Sequence, residues 1–125
     1  MSGNFYSCTR VYDLKRYDSL VRQHNISEHA YSRKKRNDFV FSIKQKPVAC
    51  FLVDRGHING PELHFITDHG CIIIFNEHTG RFVTTLIARP NQIMRYFRET
   101  HTDTVYMDTI LSCCHEYVVK GLNYL

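Results

Sequence analysis

Gly70-Cys-Ile-Ile-Ile-Phe-Asn-Glu-His-Thr-Gly-Arg-Phe-Val-Thr-Thr-Leu-Ile-Ala-Arg89 decides how this chain folds. Two apolar, β-branched runs, 71–75 and 82–88, flank Glu77-His-Thr-Gly80, whose polar residues and glycine suit a tight turn. Each run is short for a helix, and β-branched side chains pack well on a pleated surface. The pair therefore reads as an antiparallel hairpin. Toward the N-terminus the same alternation of apolar run and turn recurs. Strands are predicted over 39–43, 48–53 and 62–67, punctuated by Lys46-Pro47, by Gly56 with Asn59-Gly-Pro61, and by Asp68-His-Gly70. Connections this short pair consecutive strands as hairpins, so one antiparallel sheet is expected.

Helical spacing takes over at both flanks. Leu14, Tyr17, Leu20 and Val21 recur at helical intervals, and residues 1–38 are read as helical with a break at Asn25-Ile26. Ser27 is a good cap for a second helix over 28–37. Pro90 suits a first helical position, and 91–100 follow as a helix with Ile93, Met94 and Phe97 inward. Thr104 caps a last helix carrying Val105, Ile110, Leu111, Cys114, Tyr117 and Val118. The expected fold class is α+β, an antiparallel sheet of four to five strands with N-terminal and C-terminal helices packed on it. At 125 residues the chain makes one domain, 1–125, with a single core.

Sixteen Lys and Arg against twelve Asp and Glu give a formal charge of +4, a mild excess that permits an anionic partner without demanding one. The five cysteines include no CxxC pair, and Cys113-Cys114 are adjacent, which is awkward geometry for a mutual bridge. A reduced, cytoplasmic setting fits that usage. The N-terminus lacks a basic segment leading into an apolar one, and no apolar run approaches the ~20 residues that span a bilayer. No membrane partner is expected. There is no P-loop, GxGxxG, GxSxG, HExxH or paired-cysteine motif, so the common nucleotide, hydrolase and zinc classes have no support. Neither a metal nor another cofactor is expected.

The chemistry-bearing residues fall in three groups. Arg33-Lys-Lys-Arg36 is a basic cluster in which Arg33 and Arg36 lie one helical turn apart, able to reach one phosphodiester; a solvated helix surface is the plainer use of the same charges. Among eight histidines, His69 and His78 occupy turns, His57 ends a strand, and His64 lies mid-strand on one face with Glu62 and Ile66. His64 on an open sheet face suits acid–base chemistry near neutral pH, and Glu62 beside it would raise its pKa or fix its tautomer. The third group is Arg89 at a strand-to-helix corner, with Arg95, Tyr96 and Arg98 on the following turns. Guanidinium groups and an aromatic ring together suit RNA, whereas a basic amphipathic helix lying over the sheet is the bland alternative. Along 82–89, strict alternation puts Phe82, Thr84, Leu86 and Ala88 on one face.

With those residues assembled, the chain resembles the small ribonuclease-toxin fold shared by barnase, EndoU, colicin and RelE-type ribonucleases (the BECR fold). The likeness is carried by His29-Ala-Tyr-Ser-Arg33-Lys-Lys-Arg36, similar to a helix entry seen in several members, and by the hairpin running from Gly70 through Asn76-Glu-His-Thr-Gly80 to Thr84. It covers about residues 28–98 and leaves helices outside it at both ends. It implies a metal-independent endoribonuclease of toxin type, with His29, Arg33 and Arg36 on the helix and Thr84 after the hairpin at the site. His64 and Arg89 join as catalytic candidates, and Arg95, Tyr96 and His57 as substrate-binding ones, from their chemistry alone. RNA would be the substrate and a protein antitoxin or inhibitor a partner. The alternative is a non-enzymatic module that binds nucleic acid or protein through the basic corner, such as an accessory protein of a mobile element.

Overall fold

The structure, a computed structural model, describes residues 7–23, 45–100 and 112. Its elements are β1 (Ser7–Val11), α1 (Arg16–Gln23), β2 (Pro47–Asp54), β3 (Glu62–Thr67), β4 (Cys71–Asn76), β5 (Phe82–Ile87) and α2 (Pro90–Thr100). The strands form one sheet in the order β1-β2-β3-β4-β5, every neighbour antiparallel. Hairpin pairing of successive strands from β2 onward is as the short turns require.

Two corrections concern the N-terminal third. Residues 7–11, expected to be helical, form β1, and β1 pairs along β2 with Ser7 opposite Asp54 and Val11 opposite Cys50. β2 is thereby bonded on both sides, by β1 and β3. The place beside β2 that a hairpin to 39–43 would take is filled by β1. Residues 39–43 themselves, and the helix expected over 28–37, lie outside the described residues. Of the last expected helix only Ser112 is described, and it is helical.

Alternation along the strands divides the core in two. One face carries Ala49, Phe51, Val53, Ile66, Ile72 and Ile74 under Ile93, Tyr96 and Phe97 of α2. The other carries Cys50, Leu63, Phe65, Ile73, Phe75 and Phe82 against Tyr17 and Leu20 of α1. All of β3 and β4 is buried, as helices on both faces demand; the apolar run of β4 follows from it, whereas β3 carries Glu62, His64 and Thr67 into the buried layer. Burying each Phe or Ile here contributes about 2–3 kcal/mol, and these two clusters are where most of the fold's stability arises.

The face assignment of β5 departs from strict alternation. Ile74 pairs with Thr84 but Phe75 pairs with Phe82, so Val83 is an extra residue in a β-bulge. Phe82 therefore lies on the α1 face beside Phe75 (ring centroids 6.1 Å apart), while Thr84 and Leu86 lie on the α2 face. Beyond β5 the corner is capped by its own sequence. The Arg89 N–H donates to Gln92 Oε1 (2.7 Å), half of a capping box with Pro90 at the first helical position.

The loops β2–β3 and β4–β5 meet at one end of the sheet and are fastened by Asn76. Its Nδ2 donates to the Asn59 carbonyl (3.0 Å), and its Oδ1 accepts from the N–H groups of His78 and Thr79 (both 2.9 Å). Gly60 in this junction has φ +88°, and a Cβ there would sit 2.8 Å from His78 Cδ2. Gly60→Ala is expected to destabilise by about 1–2 kcal/mol for the left-handed backbone alone. Gly60→Asn, whose side chain tolerates that conformation, should cost less. Equal urea midpoints for the two variants would contradict this account.

Candidate functional site

His64 is built into the α2 side of the sheet. It stands in a lateral row in which Arg10, Phe51, His64, Ile74 and Thr84 are successive cross-strand neighbours. Glu62 precedes it by two residues and so shares its face. The face is not open, as the strand pattern alone implied. α2 crosses it, and His64 retains 2% of its exposure and Tyr96 5%.

A chain of hydrogen bonds runs through this layer. Glu62 Oε1 lies 2.9 Å from His64 Nε2, and Tyr96 Oη lies 2.6 Å from His64 Nδ1. A carboxylate only accepts, so Nε2 carries the proton and donates to Glu62; Nδ1 of the neutral ring then accepts from the Tyr96 hydroxyl. Arg55, from the loop after β2, donates from Nη2 to Glu62 Oε2 (3.1 Å). Its Nε also lies 2.9 Å from Oε1, an ion-pair distance without hydrogen-bond alignment. The order is Arg55, Glu62, His64, Tyr96.

The electrostatics follow from burial. Desolvation holds the His64 pKa below its usual value, and the nearby Glu62 carboxylate offsets this only in part. Desolvation is the dominant effect, and the positive charge of Arg55 adds a smaller push in the same direction. Glu62 is subject to desolvation as well, yet the hydrogen bonds from His64 and Arg55 prevail and its pKa is lowered. Burial pushes the Tyr96 phenol far above its ordinary range. At neutral pH the group is thus an ionised carboxylate, a neutral imidazole and a neutral phenol. Its connectivity is that of a hydroxyl, a base and an orienting carboxylate.

The other expected site residues are spread out. Thr84 is on the His64 face but beyond Ile74, two strand spacings or roughly 10 Å away. His57 is exposed in the β2–β3 loop, and Arg89 is exposed at the start of α2. These two lie at opposite ends of the sheet, since Val53 pairs with Glu62 at one end and Cys71 with Ile87 at the other. Tyr96 was expected at the surface beside Arg95 and is instead inside, touching His64. Arg95 is half-buried and Arg98 exposed on the outward side of α2. His29, Arg33 and Arg36 lie outside the described residues. Of the candidates that are described, His64 and Tyr96 are brought into direct contact.

Arg55 was not foreseen, and no sequence signal marks a loop arginine as partner to a strand carboxylate. Tyr96, by contrast, was legible as buried, three residues after Ile93 on the inward side of the helix. The three described cysteines are no rival centre. Burial raises the pKa of Cys8 to about 11 and of Cys50 to about 12, which leaves both as unreactive thiols. Cys71 is buried in β4. Among the described residues no three His, Cys, Asp or Glu side chains gather as a metal-ligand set. A cavity of about 190 Å³ opens on the opposite face, lined by Cys50, Leu52, Leu63 and Phe65 with the Arg16–Glu77 ion pair (2.6 Å). It is smaller than ordinary small-molecule sites. No helix of the described residues is long and apolar enough to cross a membrane. No protein family, curated protein or solved structure matches this chain.

Proposed function

We propose that this protein is an RNA-binding module that engages the phosphate backbone through the outward side of α2. The observation that carries this reading is the stripe Asn91, Arg95 and Arg98, spaced i, i+4 and i+7 opposite the buried Ile93, Tyr96 and Phe97. Arg89 stands at the helix start with no acidic residue in the first turn, and Glu99 is the one carboxylate on the helix. The test is RNA binding across a salt series. Affinity should fall steeply with salt, and Arg95→Ala and Arg98→Ala should each reduce the slope of log K against log salt by up to about one unit. A salt-independent complex, or two silent variants, removes the reading.

The second reading is a metal-independent endoribonuclease of toxin type, held in check by a protein inhibitor. The Tyr96–His64–Glu62 connectivity favours it, because a base oriented by a carboxylate beside a hydroxyl is what acid–base cleavage needs. Against it stands the closure of α2 over His64, which must lift before a ribose hydroxyl reaches the ring. Incubation with mixed RNA, with and without chelator, separates the readings. Cleavage that persists in EDTA and vanishes in His64→Gln makes the protein an enzyme; intact RNA leaves it a binder.

A further inference from the structure

The edge of the sheet beside α2 carries an exposed aromatic ring that neither the core nor the His64 network uses. Tyr12 directly follows β1 and is 80% exposed. The Arg10 guanidinium lies over one face of its ring, 4.9 Å from the centroid. That is cation–π distance, and it fixes the ring at little entropic cost. Arg10 is rooted next to α2, since its cross-strand neighbour Phe51 packs on Tyr96 and Phe97 with centroids 5.0 and 5.7 Å away. Cys8, two residues earlier on the same face, packs against the cluster formed with Ile93, Tyr96 and Phe97 of α2. Tyr12 and Arg10 thus lie on the side of the sheet that α2 covers, and the outward side of that helix carries Arg95 and Arg98. The carboxylates next to these residues in the chain are Asp13, whose Oδ1 accepts from the Lys15 N–H (2.9 Å), and Glu99.

An aromatic face backed by a guanidinium and followed by further guanidiniums is the arrangement that holds an unpaired base and its flanking phosphates. A duplex keeps its bases stacked on one another and offers none to such a ring. We propose that this edge is a stacking platform for single-stranded RNA, one base lying on Tyr12 while Arg10, Arg95 and Arg98 take the neighbouring phosphates. The proposal rests on the RNA-binding reading and adds which form of RNA is bound and which residue selects it.

The experiment compares fluorescein-labelled single-stranded RNA, the same RNA annealed to its complement, and single-stranded DNA of equal sequence, by anisotropy. Wild type, Tyr12→Ala, Tyr12→Trp and Arg95→Ala/Arg98→Ala are tested, with a thermal melt of each. The single strand should bind about ten-fold or more tighter than the duplex. Tyr12→Ala should lose about ten-fold of single-strand affinity with the salt slope and melting temperature unchanged, and Tyr12→Trp should restore it. A silent Tyr12→Ala beside a weakened Arg95→Ala/Arg98→Ala overturns the platform and leaves the phosphate-binding reading standing. Duplex bound as tightly as single strand also overturns it, and tighter binding of DNA overturns the assignment to RNA. Wild type that binds none of the three overturns both.

Discussion

His64→Ala is expected to lower the melting temperature by roughly 10 °C, the larger of the two stability effects that follow from the buried network. The change deletes a ring with 2% exposure between α2 and β3. It strips the Tyr96 hydroxyl of its acceptor and removes one of the donors to Glu62. A buried polar group left without a partner costs about 1–3 kcal/mol, and the vacated volume adds to that. Glu62 keeps Arg55, so its charge is not abandoned, and a total of about 3 kcal/mol is reasonable. Tyr96→Phe isolates one part of the sum. The ring still packs on Phe51, but Nδ1 of His64 becomes a bare acceptor, and a loss of about 1–2 kcal/mol should result. Melts of both variants by circular dichroism check the ordering. RNA affinity at a temperature where all are folded should be unchanged, because the arginine stripe faces away from the network. A His64→Ala protein as stable as wild type would mean that α2 does not close over this layer.

The central hairpins were legible because their signals are local. β3 has the bounds its flanking turns imply, and β4 and β5 differ from expectation by one residue each. β1 was hidden for a physical reason. Ser7-Cys-Thr-Arg-Val11 is an edge strand whose residues are exposed or half-buried, so it lacks an apolar alternation, while the adjacent 14–21 region has a clear helical one. The bulge at Val83 was equally invisible, since an inserted residue changes the parity of a strand without changing its composition. The pairing of Glu62 with His64 could be read from their i, i+2 spacing. That the pair is buried could not, because it depends on where α2 crosses. Arg89, Arg95, Tyr96 and Arg98 were read together as one basic and aromatic corner, yet helical geometry sends Tyr96 to the opposite side from Arg95 and Arg98. The functional grouping was made from residue chemistry, whereas the periodicity that also contained Ile93 and Phe97 already placed the tyrosine inward.

Acidification should destabilise the protein from below about pH 6.5, and His64 should be the reason. In the folded state burial disfavours the imidazolium, so the pKa lies below the ordinary 6.5. The unfolded chain then takes up the proton first as pH falls. Stability due to this group is complete above the unfolded value and is lost as pH drops through the folded one, at up to about 1.4 kcal/mol per pH unit. Glu62 adds to the loss at lower pH, because its pKa is also lowered in the folded state, from an ordinary 4.5. The groups facing His64 are Glu62 from its own strand, Tyr96 from α2 and Arg55 through Glu62. Only Glu62 favours the imidazolium, and its charge is shared with Arg55. Desolvation outweighs the pull of Glu62; if it did not, acidification would stabilise the protein instead, so the sign of the effect is the test. Urea unfolding at pH 8, 7, 6 and 5 measures it. His64→Gln, which can still donate to Glu62 and accept from Tyr96, should flatten the curve between pH 7 and 5 and leave the decline due to Glu62 below that. Stability that climbs as pH falls, or a decline that survives His64→Gln undiminished, would show that the imidazole is not held neutral beneath α2.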